Sequence, residues 1–465
     1  MEGLEVSIIS KESLDLGDRI DAEYFQRYNL LIEQRLKELP HKTLGEIATF
    51  VASAFYPAAT QLYAVGDTPF IRCVDCIDYP LITKEQDESF EKIPKDFIRD
   101  NSGVNILNKN DIIITKVGSP CYASIVYEHD VVALSRTVMG LKNITEVNPL
   151  YLLAFLRSKY GFQELYRERE QTIQFQLTLE RVRKISIYIA NPLLQDAIAD
   201  VYHRYYANMR SAVQLYKQVE QVLLDELCFN QIMETEVTYS HNKFSEFVNS
   251  GRLDAEYYQP KYDAIIDKIS QYPYGHDKIG NLYILRDKNF LPNDNTRYKY
   301  IELSDIGVNG EISGCTYEYG SNLPSRARRI VHAGDIIISS IEGSLQSCAI
   351  ITEEYDGALC STGFYVLSPR ILNSETSLVL FKSSAIQALL KRACTGTILT
   401  AMNKDEFTAI NLPVINKDIQ NKIADIIRQS TILRSKSKHL LKIAKTAVET
   451  AIEQGENAAL RLLDR

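Results

Sequence analysis

The sequence predicts an α+β protein built from two tandem copies of one unit, and three observations support this prediction. Short β-branched runs, such as 111–115 and 335–339, alternate with Gly, Pro and Asn turns, a pattern typical of mixed folds. These two runs belong to longer stretches that resemble each other, which indicates a duplication. Each stretch ends in a long segment without Gly or Pro, 194–228 and 416–454, which predicts a long helix.

The duplication is clearest in an opening phrase. Ile-Asp-Ala-Glu-Tyr-Phe-Gln at 20–26 returns as Leu-Asp-Ala-Glu-Tyr-Tyr-Gln at 253–259. Further along, the offset between the copies settles at 225 residues, so that Ile-Ala-Asp at 198–200 matches Ile-Ala-Asp at 423–425. Two copies of one module therefore follow each other. The tyrosines of the opening phrase, Tyr24, Tyr257 and Tyr258, are predicted to be packing residues rather than base-stacking platforms.

The first copy departs from the second at two places. Asn110 stands where the second copy has Gly334, and the phrase 189–192 (Ile-Ala-Asn-Pro) stands where the second has Leu412-Pro413. These departures leave the exact loop geometry of the first copy open, while the duplication itself holds.

The two long segments carry a narrow apolar seam with alternating spacings of three and four residues, which favours a coiled coil. Tandem copies related by a pseudo-twofold axis would pair these helices antiparallel, with the two mixed regions at opposite ends. At about 1.5 Å per residue, each helix spans about 50 Å. The alternative is that each helix packs only on its own mixed region. The predicted seam residues are Ile198, Val201, Tyr205, Leu215, Val219, Ile423, Ile426, Leu433, Leu440 and Ala444.

Composition bears on location and on partners. The formal net charge of −8 argues mildly against a nucleic-acid ligand, but net charge averages over surfaces that can differ in sign. No run of about 18 apolar residues occurs, and residues 1–5 lack the features of a secretion signal, so we expect a cytoplasmic protein without a membrane span. Of the eight cysteines only Cys73 and Cys76 form a CxxC pair, which favours buried thiols over a metal site.

The search for catalytic chemistry identifies no catalytic residues. A phosphate loop ending in Gly-Lys-Ser/Thr is missing, which argues against a translocating ATPase. Asn-Pro-Leu-Tyr at 148–151 is similar to the Asn-Pro-Pro-Tyr phrase of adenine methyltransferases, but the second proline and a Gly-rich S-adenosylmethionine loop are missing. We predict that this phrase starts a helix, with Pro149 in the first turn. Carboxylates are plentiful, which leaves a nuclease cluster open as an alternative.

The chain resembles the specificity subunit family of Type I restriction-modification systems over nearly its whole length. Three phrases carry the resemblance: Leu-Asp-Ala-Glu-Tyr-Tyr at 253–258, Gly-Asp-Ile-Ile-Ile at 334–338, and Thr-Gly-Thr-Ile at 395–398. The third phrase continues through Met-Asn-Lys at 402–404 and Ile-Asn-Leu-Pro at 410–413 to Gln420, ahead of the second helix.

The resemblance implies two target recognition domains, each similar to the DNA-recognition domain of adenine-N6 methyltransferases. Each would read one half of a split site in double-stranded DNA, and the helices would set the unspecified spacer, so longer helices should give a longer spacer. The helices would also dock two methyltransferase (modification) subunits, and restriction subunits would join the complex. This chain would then bind no cofactor, because S-adenosylmethionine belongs to the modification subunit, and ATP and Mg to the restriction subunit.

On this reading the chain divides into four parts. Residues 1–190 form the first target recognition domain with an N-terminal segment, and residues 191–235 form the central helix. Residues 236–415 form the second target recognition domain, and residues 416–465 form the distal helix.

Candidate DNA-binding residues are basic, amide and hydroxyl side chains in loops. Arg and Lys read guanine, Asn and Gln read adenine, and hydroxyls contact phosphate. For any single residue a solvated surface role is the alternative, but clusters at matching places in both copies favour DNA. The candidates are Lys116, Ser119, Arg136, Gln174, Gln176, Arg326, Arg328, Ser340, Ser344, Gln346, Thr397 and Lys404.

Two other functions compete with a DNA-recognition subunit. One is a stand-alone restriction-modification enzyme whose active site is not recognised, which metal-dependent cleavage by the lone chain would reveal. The other is a coiled-coil scaffold that does not bind DNA, which sequence-specific retention on DNA would rule out.

Overall fold

The computed structural model describes residues 6–10, 21–54, 60–170, 175–229, 241, 243–307, 309–395 and 400–464. The chain forms two compact units: unit 1 comprises Met1–Arg210 and Leu433–Arg465, and unit 2 comprises Ser211–Ile432. Among the described residues, none of the helices has both the length and the apolarity needed to cross a membrane.

Unit 1 contains a five-stranded sheet of order β2-β10-β7-β8-β4, a four-stranded sheet of order β5-β3-β9-β6, and the pair β1-β11. Its strands are β1 (His41–Thr43), β2 (Thr49–Ala52), β3 (Thr68–Ile71), β4 (Leu81–Ile82), β5 (Lys92–Ile93), β6 (Ile106–Asn108), β7 (Ile112–Thr115), β8 (Ala123–Val126), β9 (Val131–Leu134), β10 (Val138–Lys142) and β11 (Ser186–Tyr188). Its helices are α1 (Arg27–Lys37), α2 (Leu44–Ile47), α3 (Thr60–Ala64), α4 (Cys73–Asp78), α5 (Lys95–Asp100), α6 (Pro149–Arg157), α7 (Lys159–Arg167), α8 (Leu179–Arg183) and the first part of α9 (Pro192–Leu227).

Unit 2 contains two four-stranded sheets, of order β13-β20-β17-β18 and β15-β14-β19-β16, and the pairs β12-β23 and β21-β22. Its strands are β12 (His276–Lys278), β13 (Tyr283–Leu285), β14 (Arg297–Ile301), β15 (Thr316–Tyr319), β16 (Ala327–Ile330), β17 (Ile336–Ser339), β18 (Cys348–Ile350), β19 (Leu359–Ser361), β20 (Phe364–Pro369), β21 (Cys394–Thr395), β22 (Ala401–Met402) and β23 (Asn411–Pro413). Its helices are α10 (Phe244–Ser250), α11 (Pro260–Ser270), α12 (Ile279–Leu282), α13 (Ser374–Lys382), α14 (Ser384–Arg392), α15 (Lys404–Ala409) and the first part of α16 (Lys417–Gln454). The last helix, α17 (Glu456–Leu463), belongs to unit 1.

The α+β prediction, the two copies and the two long helices are confirmed. The strand predicted at 111–115 is β7, and the strand predicted at 335–339 is β17. Both are continuous isoleucine runs because they are buried on two faces. In unit 1, Ile112 and Ile114 pack in the core that the helices cover. Ile113 points to the other face and packs in a separate core, formed by apolar side chains of the two sheets. A strand covered on both faces needs no apolar-polar alternation.

The long helices pack antiparallel in each unit. In unit 2, the Ser430 hydroxyl of α16 donates to the Ala212 carbonyl of α9 at 2.9 Å. In unit 1, the Ser437 hydroxyl donates to the Tyr205 carbonyl at 3.4 Å, so the residue numbers on the two helices run in opposite directions. These serines and Ala212 are buried, and such small side chains allow the helices to approach closely.

The predicted seam residues divide between the cores of the two units. Ile198, Val201, Tyr205, Leu440 and Ala444 contribute to the core of unit 1, and Val219, Ile423 and Ile426 to that of unit 2. Leu215 and Leu433 are half-buried. The long helices also bury residues that the narrow pattern omitted, because the helices pack against sheets and loops as well as against each other: Tyr202, Tyr216, Leu223, Ile427, Val448 and Ile452.

The duplication extends to single hydrogen bonds. Gln195 near the start of α9 accepts from the Asn148 N–H at 2.7 Å and donates to the Ala190 carbonyl at 2.8 Å. In unit 2, Gln420 accepts from the Asn373 N–H at 2.9 Å and donates to a carbonyl, that of Ile415, at 2.8 Å. Each glutamine therefore ties its long helix to the helix that follows the sheets. The Asn148 side chain caps α6 with Pro149 in the first turn, as predicted.

One of the two departures leaves the backbone conformation unchanged, and one alignment needs correction. Asn110 and Gly334 have φ values of 71° and 86°, so both adopt the left-handed turn that Gly and Asn tolerate best. β11 pairs with β1 as β23 pairs with β12, which makes Ile187 the counterpart of Leu412. The phrase 189–192 instead leads into α9, which begins at Pro192.

The opening phrase packs onto the same helix in both copies. Arg167 of α7 donates from Nε to the Tyr24 carbonyl at 3.0 Å, and its guanidinium lies 3.9 Å from the centre of the Tyr24 ring. Arg392 of α14 makes the same bond to Tyr257 at 3.0 Å, with its guanidinium 4.3 Å from the ring centre. The predicted packing role of these tyrosines is confirmed. The same contacts give a physical reason why the opening phrase occurs in both copies.

Candidate nucleic-acid interface

Three loops of unit 1 meet at the carboxyl end of β7. The Lys116 N–H donates to the Thr137 carbonyl at 2.9 Å, which joins the loop after β7 to the turn before β10. The Lys116 carbonyl accepts from the Leu177 N–H at 2.8 Å, and Val117 forms an antiparallel bridge with Gln176. The backbone therefore gathers three predicted candidates, Lys116, Arg136 and Gln176.

The cluster combines two cationic side chains with one amide side chain. Lys116 is half-buried, and Arg136 and Gln176 are exposed. Desolvation lowers the pKa of Lys116, and the nearby Arg136 charge lowers it further. The Arg136 charge therefore lies close enough to Lys116 to act on it.

Ser119 belongs to the same loop, and its backbone carbonyl is hydrogen-bonded to side chains of the protein. Its carbonyl accepts from the Thr115 hydroxyl at 2.8 Å and from the Cys73 thiol at 3.3 Å, and the residue is exposed. Burial raises the pKa of the Cys73 and Cys76 thiols. In the part of the chain that the structure describes, no three His, Cys, Asp or Glu residues are grouped to hold a metal ion.

Unit 2 repeats this arrangement. The Ser340 N–H donates to the Gly363 carbonyl at 2.8 Å, and its carbonyl accepts from the Met402 N–H at 2.7 Å. Ile341 bridges Ala401 as Val117 bridges Gln176. The Arg326 carbonyl accepts from the Thr362 N–H at 2.9 Å, which brings exposed Arg326 to the same turn.

The other candidates of unit 2 occupy different settings. The Ser344 hydroxyl bonds the Ser339 hydroxyl at 2.8 Å within the loop, whereas Gln346 is exposed. Arg328 is the extra residue of a bulge in β16, since Ala327 pairs with Ser361 and Arg329 with Cys360.

Lys404 is exposed at the start of α15 and forms an ion pair with Asp287, where its ammonium lowers the pKa of the carboxyl. Arg328 lies beside the same segment, because its carbonyl accepts from the Phe290 N–H at 2.7 Å. Lys404 and Arg328 thus share one neighbourhood, adjoining residues 287–290. Gln174 and Thr397, with their neighbours Gln171 and Thr172, lie outside the described residues.

A basic and aromatic surface that was not predicted lies on the edge strand of unit 2. The Arg297 guanidinium of β14 lies 4.4 Å from the Tyr317 ring centre and 5.3 Å from that of Tyr319, both in β15. Both tyrosines are exposed. Arginine between aromatic rings is suited to contact phosphate or bases. The sequence signal is the alternation Thr-Tyr-Glu-Tyr at 316–319, which places both rings on one face of the strand.

The chain is similar to distant solved structures. A crystal structure of the Type-I restriction-modification system S subunit from M. genitalium matches with a TM-score of 0.42 and 12% identity, over 89% of this chain and 94% of that one. The HsdS subunit from Thermoanaerobacter tengcongensis matches with a TM-score of 0.29 and 14% identity, over 89% and 96%. No curated protein sequence matches the chain.

The sequence model of one family covers both copies. The family described as "Type I restriction modification DNA specificity domain" matches residues 37–221 and 279–442, which is most of the chain. The matched ranges include β7 and β17, the loops that follow them, and the larger part of each long helix. The chain therefore belongs to the Type I restriction-modification DNA specificity family.

Proposed function

We propose that the chain is the specificity subunit of a Type I restriction-modification complex and that it reads a bipartite target in double-stranded DNA. Each unit would contact one half-site. The observation that carries this proposal is the repeated meeting of three loops, around Lys116 in unit 1 and around Ser340 in unit 2. The two loop clusters share one backbone arrangement but present different side chains, so they are suited to recognise two different half-sites.

The two loop clusters present different side chains, which supports recognition of different bases by the two units. Unit 1 presents Lys116, Arg136 and Gln176, whereas unit 2 presents Ser340, Gln346 and the arginines before β17. Guanidinium and amide groups discriminate bases through paired hydrogen bonds in the major groove, and ammonium and hydroxyl groups mainly position the protein on phosphate. We therefore propose direct base contacts for Gln176, Arg326 and Gln346, and phosphate contacts for Lys116, Ser119 and Lys404.

We also propose that this chain performs no chemistry and that its partners do. Two modification subunits would dock on the long helices, bringing S-adenosylmethionine, and restriction subunits would bring ATP and Mg. The length of α9 and α16, 36 and 38 residues, supports a docking role because each helix enters both units. If this chain alone cleaved or methylated DNA, the proposal that it performs no chemistry would be wrong.

Replacing Arg326 and Arg328 together by Ala should weaken binding to a duplex that carries the target by at least about tenfold, because the base contact proposed for Arg326 alone contributes about 1–3 kcal/mol. Binding is measured by fluorescence anisotropy at fixed salt. The control replaces Lys278 and Lys422, two exposed lysines in other elements of unit 2, by Ala and removes the same charge. Equal losses in the two variants would show that only net charge matters, and would contradict base reading by Arg326.

A further inference from the structure

The loop after β17, residues 341–347, is held by two side chains from the helices below it. Lys382 at the end of α13 donates from Nζ to the Gln346 carbonyl at 2.6 Å. Gln387 of α14 donates to the Leu345 carbonyl at 3.1 Å and to the Phe381 carbonyl at 2.7 Å. Lys382 and Gln387 therefore both hydrogen-bond to the backbone at or next to Gln346, the proposed base-reading residue.

Lys382 is an unusual residue for this position. Its side chain is buried, with 7% of the residue exposed, and desolvation lowers its pKa. Glu311 and Glu220 of α9 are the carboxylates whose charges act on it, and desolvation raises the pKa of Glu220. A buried ammonium costs free energy that an apolar side chain would not, and its hydrogen bond to the Gln346 carbonyl and its attraction to these carboxylates offset that cost.

The loop has space to move if that bond is lost. It borders a surface cavity of about 330 Å³, lined on the other side by Ser384, Ala388 and Lys391 of α14. Within the loop, Leu345 is buried and the Ser344 hydroxyl is bonded to Ser339. The Gln346 carbonyl also accepts from the Cys348 N–H at 2.8 Å, and Lys382 is the side chain of α13 that hydrogen-bonds to it.

We infer that Lys382 is a positioning residue for DNA recognition: it fixes the 341–347 loop so that Gln346 meets the second half-site in one orientation. This inference rests on the proposed function. Lys382 would not touch DNA itself. Its loss should therefore reduce discrimination between bases more than it reduces binding to DNA in general.

Unit 1 offers a matched control at the equivalent position, 225 residues earlier. Arg157 donates from Nη1 to the Ala123 carbonyl at 2.6 Å, which lies in β8 rather than in the loop after β7. The two cations thus occupy equivalent places, but only Lys382 contacts a candidate recognition loop. Arg157→Met should affect stability without changing base discrimination.

The test measures dissociation constants for the target duplex and for duplexes with one base changed in either half-site. Lys382→Met should lower discrimination about tenfold in one half-site, the half affected by the Arg326 and Arg328 replacements, because a hydrogen bond from a charged group is lost. Lys382→Arg should restore most of it, since arginine also donates to a carbonyl. Arg157→Met should change discrimination in neither half-site by more than about twofold, within the context dependence of such contacts.

The outcomes separate the inference from the proposed function. If the wild-type chain discriminates bases in both half-sites and Lys382→Met keeps the same ratios, or changes both halves equally, the positioning role is wrong and the proposed function stands. If the wild-type chain shows no base discrimination, both are wrong. If Lys382→Met fails to fold, Gln387→Leu is tested in its place, because it removes the hydrogen bond to the Leu345 carbonyl. The inference then holds only if Gln387→Leu lowers discrimination in the same half-site.

Discussion

Ala444→Glu in α16 is expected to lower the melting temperature of unit 1 by about 10 °C, the largest effect predicted here. Ala444 is fully buried in the core of unit 1, which the long helices share. A glutamate there would be both too large and charged without a partner, which costs on the order of 4 kcal/mol in the free energy of unfolding. In a domain of this size, one kcal/mol corresponds to about 2–4 °C.

Differential scanning calorimetry measures this change. Lys445→Glu at the exposed neighbouring position provides the control and should stay within about 0.5 kcal/mol of the wild type. Melting of Ala444→Glu within a degree or two of the control would mean that this part of α16 does not pack as described.

Gln420→Leu is expected to cost on the order of 3 kcal/mol, because it removes the partner of two backbone groups, one in buried Ile415 and one in half-buried Asn373. The Asn373 N–H loses its acceptor and the Ile415 carbonyl loses its donor, and each unsatisfied buried group costs about 1–3 kcal/mol. Leucine has nearly the same size, so packing changes little.

Gln195→Leu provides the matched variant in unit 1, where Asn148 and Ala190 lose the equivalent bonds. Hydrogen exchange resolved by peptide should show each variant weakening its own unit. Gln429→Leu, at an exposed position of the same helix, provides the control. Equal protection in Gln420→Leu and Gln429→Leu would contradict the structural role given to the two glutamines.

Local patterns in the sequence predicted the elements whose signals are local. The helices α9 and α16 follow from long stretches without Gly or Pro, and β7 and β17 follow from their isoleucine runs. The duplication followed from the opening phrase, which the structure explains by the contacts of Arg167 and Arg392 with its tyrosines.

Sequence reasoning could not supply the non-local pairings. The second sheets of each unit contain parallel neighbours, β3 with β9 and β14 with β19, which join strands far apart in the chain. The same limit applies to the site. Residues in loops could be chosen by type, but that Lys382 contacts the Gln346 carbonyl depends on how a helix packs beneath a sheet. The individual DNA-binding residues stay predictions.

A genome-wide map of adenine methylation in the source organism, with and without the gene for this chain, tests the central claim most directly. If the chain directs modification to a bipartite target, one split motif with a fixed unspecified gap loses its methyl marks when the gene is deleted and regains them on complementation. If every methylated motif survives the deletion, the chain does not specify a target for modification there, and the proposed function is wrong.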